Sequence, residues 1–430
     1  MQVNEAGRAK AVNLVIYFVI VAGTLARIWD CFYFNPLDHL FSDPLRHWLN
    51  GQRLLNPDLM GASDPIGYQC FVFLVHLVSG GGRFGVALCA GLLSAVMPYT
   101  FYRASRELGI PRSPAILFWA ALCWTPSLFA IYHYFAMETL LLVLIGLSLW
   151  STGRYLRTVN RVCWWQTSGL WTLCVLTKPT ALPLAVTCLG YAWWRKSRSP
   201  GDAGIAIGIA VALLLPNAFR SDRVLHFPAP LGNAWITKIQ HLSGARTIEI
   251  HWKRGKWFFS SPSCYVRPLE PLSSWMITRA GADSRIIVDI NPEYGARDWE
   301  VAHSLISVGL GERITQLSEN LLLFLFAPSW PDCNLWEIDG WWSYIGRWMW
   351  APLIFFLLSC NLLEFRAGRF DLVPVATTVF TLFLGLQNFA TMEGRYRKPL
   401  EPLLLLNVAW VVSRPPAGLR RRNSEIGPRD

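Results

Sequence analysis

Long apolar runs alternate along the chain with short polar connections that are rich in Lys and Arg. A helix that crosses a bilayer needs about 20 mostly apolar residues, so each long run is a candidate span. The candidate spans are Ala11–Trp29, Phe84–Tyr102, Ala115–Tyr132, Ala136–Trp150, Trp164–Leu176, Ala181–Trp194, Ala203–Phe219, Trp348–Leu363, Leu372–Phe389 and Pro399–Val412. The pattern predicts an all-α polytopic membrane protein with about ten transmembrane helices. A further apolar run, Gln69–Ser79, is too short to cross and predicts a re-entrant or interfacial helix.

The positions of the cations predict the orientation of these spans and four regions of the chain. Connections rich in Lys and Arg favour the cytoplasmic side, which places both termini inside and residues 30–68 and 220–344 outside. Residues 1–219 then form an N-terminal transmembrane module that carries the first outer loop, 30–68. Residues 220–344 form an outer segment with strand-like and helical pieces, 345–413 the C-terminal spans, and 414–430 a basic cytoplasmic tail.

Composition supports a membrane protein and argues against a nucleic-acid-binding protein and against a zinc or haem protein. Of the 430 residues 53% are hydrophobic, and the 22 tryptophans suit interfacial aromatic belts. The net charge of +11 comes from cations between apolar runs, so it is a topology signal and no nucleic-acid partner is expected. No cysteine spacing is typical of a zinc or haem site. Cys264 and Cys333 both lie in the outer segment, where a disulfide between them stays an open alternative.

The first outer loop is unusually rich in carboxylates. Its aspartates are Asp30, Asp38, Asp43, Asp58 and Asp64. Asp43 precedes Pro44, a pattern that fits a helix start, a solvated acid or a general base on an acceptor hydroxyl. For Asp64, followed by Pro65, the sequence favours a helix cap.

Other polar side chains are predicted to reach the same outer face. They are Arg46, His47, His133, Glu138, Lys178, Glu393, Arg395, Tyr396, Arg397 and Lys398. The cations among them suit a phosphodiester or pyrophosphate, although interfacial anchoring explains the C-terminal group as well. Glu138 either caps its span or pairs with Lys178, and the two histidines favour hydrogen bonding over metal ligation. A metal site built from Asp43, His47 and Glu138 has little support from the spacing, so no metal and no cofactor is predicted.

Three stretches carry a family resemblance: SDPLRHWLNGQRLL with DPIGYQ in the first loop, AMETLL at the fourth span, and EGRYRKPLEPLLLL at the last. The chain resembles the GT-C superfamily of polyprenyl-phosphate-sugar-dependent glycosyltransferases, of the protein mannosyltransferase and lipid A aminoarabinose transferase type. The resemblance implies that Asp43 is the catalytic acid and that Lys178, Arg395, Arg397 and Lys398 lie near the donor phosphate. Many relatives have Asp-Glu where this chain has Asp43-Pro44. Asp38 is therefore kept as the alternative candidate for the catalytic acid.

The resemblance implies an inverting glycosyltransferase that moves a sugar from a polyprenyl-phosphate carrier to a glycan, lipid or protein acceptor. The implied location is a bacterial inner membrane with the active site on the periplasmic face. Two alternatives remain open, namely a flippase or other transporter of lipid-linked glycans, and an O-antigen polymerase or ligase. Transporters place polar groups near the bilayer midplane, whereas these acids and cations are predicted at one outer edge.

Overall fold

The computed structural model describes residues 5–40, 42–57, 61–62, 64–197, 199–225, 228–231, 321, 324–325, 338–386 and 394–414. Within these ranges the regular elements are all helical. The predicted strand-like pieces, Cys264 and Cys333, Asp58, Glu393, the side chain of Arg395 and nearly all of the basic tail lie outside the described residues.

The N-terminal half forms a continuous series of helices. They are α1 (Glu5–Tyr33), α2 (Ser42–Gln52), α3 (Ile66–Ser79), α4 (Arg83–Glu107), α5 (Arg112–Trp124), α6 (Ser127–Ala130), α7 (Met137–Thr158), α8 (Arg161–Thr177), α9 (Leu182–Ala192) and α10 (Pro200–Leu225). The C-terminal helices are α11 (Ile338–Arg366), α12 (Leu372–Leu386) and α13 (Glu401–Val412). Short 3₁₀ turns occupy Pro36–His39, Ile131–His133, Pro179–Ala181 and Gly394–Arg397, and α9 continues into a π-helical turn, Trp193–Ser197.

Each of the ten predicted spans overlaps helix in the part of the chain that the structure describes, but only some of these helices are long enough to cross a bilayer alone. By length and hydropathy α1, α4, α7, α10 and α11 qualify, and α5 with α6 forms a sixth span if that pair, bent by 63°, is counted as one. The helices α8, α9, α12 and α13 contain 17, 11, 15 and 12 residues, fewer than the roughly 20 that a span needs. The expected number of ten is therefore not confirmed, and α3 is a short apolar helix as predicted.

Helix α4 lies at the centre of the N-terminal half, in contact with α1, α3, α5 and α7. Its seam with α7 depends on small residues, because a Cβ at Gly146 would lie 2.1 Å from Oγ1 of Thr100 and one at Gly153 would lie 2.7 Å from Cβ of Glu107. Such close approach of backbones is typical of helix packing in membranes, where dispersion replaces the hydrophobic effect. The C-terminal helices join this half through contacts of α13 with α5 and of α12 with α9.

Candidate active site

Helix α2 presents the predicted catalytic acid. Asp43 lies in the first turn of the helix, as the Asp43-Pro44 pattern predicts, and its side chain is 22% exposed. One turn later the Nη1 atom of Arg46 lies 3.0 Å from Oδ1 of Asp43. The spacing of three residues places both side chains on the same helix face. Asp43 is thus an accessible carboxylate with a cation beside it.

The same guanidinium holds a second carboxylate, that of Asp64. Nε of Arg46 donates to Oδ2 of Asp64 at 2.7 Å, and Nη2 donates to Oδ1 at 3.2 Å. This paired geometry is the strong form of an ion pair because the planar fork matches the carboxylate. The prediction that Asp64 caps the next helix is wrong, since α3 has Pro65 at its N-cap and no side-chain cap bond. Arg46 therefore bridges two acids from two separate elements.

His47 lies beneath this bridge and is almost fully buried. Its ring packs edge-on against Tyr68 with centroids 5.1 Å apart. Nδ1 is 3.5 Å from Oδ2 of Asp64, but the geometry makes no hydrogen bond, and neither ring nitrogen has a hydrogen-bond partner among the described residues. Burial lowers the pKa of His47, and the nearby Asp64 carboxylate opposes that effect only in part. The imidazole is therefore neutral at pH 7.

A buried ion pair lies on the other side of Tyr68. Lys178 donates from Nζ to Oε1 of Glu138, and both side chains are shielded from solvent. Glu138 lies in the first turn of α7, which has Ala136 at its N-cap and no side-chain cap bond. The pairing alternative is confirmed and the capping alternative is wrong. The ammonium of Lys178 also lies 4.7 Å from the ring centroid of Tyr396, which brings the Gly394–Arg397 turn to this place.

A close backbone contact holds the two halves of the site together. A Cβ on Gly67, in the first turn of α3, would lie 2.8 Å from the carbonyl carbon of Leu176 at the end of α8. Only glycine permits this approach, and it places Lys178 beside the start of α3. Tyr68, the next residue, has its hydroxyl 3.5 Å from Oγ1 of Thr139 on α7. Tyr68 therefore packs against His47 on one side and lies next to Thr139 of α7 on the other, between the Asp43–Arg46–Asp64 cluster and the Glu138–Lys178 pair.

Two further loop acids, Asp30 and Asp38, have partners of their own. Oδ2 of Asp30 lies 2.5 Å from Nε2 of His133, whose ring stacks on Phe34 at 4.6 Å. The expectation of a hydrogen-bonded histidine is confirmed for His133 and is wrong for His47 among the described residues. Asp38, the fallback for catalysis, accepts from Nη2 of Arg83 at 2.7 Å, and this hydrogen bond lowers the pKa of the Asp38 carboxyl. The Asp38 side chain is 43% exposed and forms an ordinary surface pair.

The C-terminal cations that the structure describes are buried against protein acceptors. Arg397 donates to the carbonyls of Phe324 at 2.6 Å and Leu325 at 3.1 Å, and its Nε lies 3.2 Å from Oε1 of Glu401. Lys398 donates to the carbonyl of Ser127 at 2.5 Å. Lys398 therefore links the turn before α13 to α6, and Arg397 links the same turn to Phe324 and Leu325, while Tyr396 reaches Lys178.

Sequence reasoning passed over two buried arginines that shape the site. Arg220 donates to the carbonyls of Leu54 at 3.1 Å and Gly61 at 2.9 Å, and to Oε1 of Gln69, so it fixes the segment that carries Asp64. Arg27 lies within α1 and is fully buried. An arginine inside an apolar run is itself a signal, because a charge in a membrane interior needs a specific partner.

Among the residues described, no group of three His, Cys, Asp or Glu side chains is placed to hold a metal ion.

Comparison with protein families gives a match over part of the chain. Residues 63–219 match the family described as dolichyl-phosphate-mannose-protein mannosyltransferase, which is a GT-C-type family. The match confirms the resemblance expected from the sequence and covers Asp64, Glu138 and Lys178, whereas Asp43 and the C-terminal turn lie outside it. Together with the long apolar helices it indicates a membrane glycosyltransferase of the GT-C type. A search of curated proteins found no match.

Proposed function

We propose that this chain transfers a sugar from a polyprenyl-phosphate carrier to a hydroxyl acceptor, with inversion at the anomeric carbon. The observation that carries the proposal is the placement of two charged clusters, Asp43–Arg46–Asp64 and Glu138–Lys178, on either side of Tyr68. The acceptor is a glycan, lipid or protein. The distribution of cations along the chain favours an outward orientation for this end, and the family resemblance implies the periplasmic face of a bacterial inner membrane.

In this proposal Asp43 is the general base. Its carboxylate removes the proton of the acceptor hydroxyl, whose oxygen forms the new bond to the anomeric carbon. The bond between that carbon and the phosphate oxygen breaks, and the carrier phosphate leaves with the electron pair. Arg46 and Asp64 act as positioning residues, because the bidentate contact with Asp64 fixes the guanidinium that lies beside Asp43.

Lys178 is proposed to stabilise the departing phosphate. The carrier phosphate gains one negative charge as it leaves, and a preorganised cation in a water-poor site stabilises such developing charge. An ammonium has three N–H donors, so Lys178 can hold Glu138 and a phosphate oxygen together. Arg395 remains a proposed second phosphate ligand. For Arg397 and Lys398, the contacts described above favour positioning of α13 over direct phosphate binding.

The bend between α5 and α6 tests the alternative that the protein is a transporter. Broken helices in transporters expose carbonyls that coordinate ions. Here the carbonyls at the bend are occupied by protein donors: Arg27 donates to Leu122 at 2.7 Å and Leu128 at 3.0 Å, and Lys398 donates to Ser127. The bend is therefore a closed structural joint, which favours the enzyme over the transporter.

The proposal is tested with Asp43→Asn and the control Asp38→Asn, assayed for release of carrier phosphate from a panel of synthetic polyprenyl-phosphate sugars. General-base assistance is worth about 10²–10⁴-fold, so Asp43→Asn should lose at least 100-fold in turnover while still binding the donor. Asp38→Asn removes an exposed surface pair and should stay close to wild type. Normal turnover in Asp43→Asn would remove Asp43 from the mechanism. Transbilayer movement of the donor without release of phosphate would favour the transporter.

A further inference from the structure

A second polar cleft lies at the other end of the helices, far from the candidate active site. It has a volume of about 510 Å³ and lies between the α4–α5 connection, the end of α7, α9, the start of α12 and the end of α13. Arg157 lines it near the C-terminal end of α7, whereas Glu138 lies in the first turn of the same helix. Their separation of 19 positions along α7 corresponds to about 28 Å at 1.5 Å per residue.

The cleft carries an excess of positive charge. Three arginines and two acids line it, namely Arg106, Arg157, Arg414, Glu107 and Asp371. Two of the arginines neutralise the two acids: Nη1 of Arg157 lies 3.0 Å from Oε2 of Glu107, and Nη1 of Arg414 lies 2.7 Å from Oδ2 of Asp371. One of the three lining arginines is therefore not neutralised by a lining acid.

That remaining cation is Arg106, in the last turn of α4. Its Nη1 donates to the carbonyl of Ile110, a neutral acceptor, so its positive charge has no acidic partner among the described side chains. A fourth guanidinium lies near the cleft, because that of Arg195 is 5.9 Å from the ring centroid of Tyr191, which lines the cleft. The hydroxyl of Tyr191 donates to the carbonyl of Phe370 at 3.0 Å. A roomy cleft with uncompensated guanidinium charge suits an anion with several acceptor oxygens.

Large apolar side chains border this charged cleft. Phe370, next to Asp371, is 49% exposed, and Val412, two residues before Arg414, is 73% exposed. In a membrane protein such side chains face lipid, so the cleft lies where the apolar surface meets the charged end of the helices. Phospholipid head groups occupy that level of a bilayer.

We propose that this cleft binds a phosphate-bearing anion through Arg106, with the head group of an anionic phospholipid as its source. The paired Arg157 and Arg414 wall the site and supply further N–H donors to the phosphate oxygens. The site is separate from the proposed transfer chemistry, and its binding does not depend on the identity of the sugar or the acceptor.

The experiment uses the full chain in a neutral detergent and titrates three probes, namely short-chain phosphatidylglycerol, short-chain phosphatidylcholine and inorganic phosphate. Thermal unfolding and native mass spectrometry report binding. The variant is Arg106→Gln. Its matched control is Arg103→Gln, one turn earlier on α4, whose guanidinium lies 4.5 Å from the ring of Trp150 and does not line the cleft.

We expect phosphatidylglycerol to bind wild type and Arg103→Gln in a saturable manner, and phosphatidylcholine to bind neither. Arg106→Gln should weaken the apparent affinity about tenfold or more, as expected for loss of a charge-assisted contact. If inorganic phosphate binds as tightly and with the same dependence on Arg106, the anion site stands and its source is free phosphate. Absence of saturable binding by both anions, or equal binding by wild type and Arg106→Gln, overturns the proposal. Arg414→Gln is the second variant should Arg106→Gln not fold.

Discussion

Replacing Arg46 by lysine tests whether the bridge between two acids positions the proposed base. The side chain makes three charge-assisted contacts, at 2.7 and 3.2 Å to Asp64 and at 3.0 Å to Asp43. Lysine keeps the charge but has no planar fork, so it cannot reproduce the bidentate contact with Asp64 and also reach Asp43. Arg46→Lys therefore separates the geometry of the bridge from its charge.

The structure sets the size of the expected effect. A hydrogen bond to a charged group contributes about 1.5–3 kcal/mol, and because Arg46 is 24% exposed and Asp43 is 22% exposed, solvent screening reduces the loss. We expect a loss of about 1–2 kcal/mol in stability for Arg46→Lys. Misplacement of a reacting group by about 1 Å costs up to 100-fold, so kcat should fall about 10- to 100-fold. The KM for the donor should change little, because Lys178 and Glu138 are intact.

The assay combines turnover of the polyprenyl-phosphate sugar with thermal unfolding of the same preparations. Arg53→Lys is the matched control, since Arg53 follows α2 closely and its side chain is exposed. The positioning role is refuted if Arg46→Lys and Arg46→Gln both retain wild-type kcat. A fall in stability with unchanged kcat would make the bridge purely structural.

Three further results are expected. Lys178→Met is combined with Glu138→Gln, because the double change leaves no buried charge unpaired. The double variant should fold and yet bind the donor at least tenfold more weakly in a titration. Unchanged affinity would exclude Lys178 as a phosphate ligand. Burial lowers the pKa of His47, so the unfolded chain takes up a proton below about pH 6.5 that the folded chain refuses. Wild type should therefore lose stability between pH 7 and 5, and His47→Gln should lose less over the same range in urea titrations. Arg397→Met should cost about 3–5 kcal/mol by leaving Glu401 buried and unpaired, and adding Glu401→Leu should recover part of that loss in thermal unfolding.

The helices were largely predictable because the apolar pattern that specifies each helix lies within the helix's own sequence. The apolar run from Phe84 to Tyr102 predicts α4, and the run from Ala136 to Trp150 predicts α7, since length and hydropathy require only neighbouring residues. Helix α10 continues to Leu225, six residues past the predicted end at Phe219, and helix ends are the least local part of that pattern. The number of spans was not predictable with the same security, because α9 and α13 are apolar but short.

The pairing of side chains was predictable only where the partners are close in sequence or unusual in type. The Glu138–Lys178 pair was one of two alternatives, because an acid and a lysine next to apolar runs need each other. Asp64 was assigned to a cap because Asp-Pro is a common helix start. Its actual partner is Arg46, 18 residues earlier, and that contact depends on how α2 folds back on α3.

The cations near the C-terminal helix illustrate how partners, and not residue type, decide a role. Sequence and resemblance grouped Lys178, Arg397 and Lys398 together as phosphate ligands. In the structure Lys178 pairs with the carboxylate of Glu138 in the candidate active site, whereas Arg397 and Lys398 donate to main-chain carbonyls in the buried interior. Arg27 does the same for the end of α5. A backbone carbonyl in lipid cannot turn to water, so each bend in a span needs a donor from elsewhere. The bend between α5 and α6 obtains its donors from α1 and from the turn before α13, which ties the C-terminal helix to the N-terminal half and brings Tyr396 against Lys178.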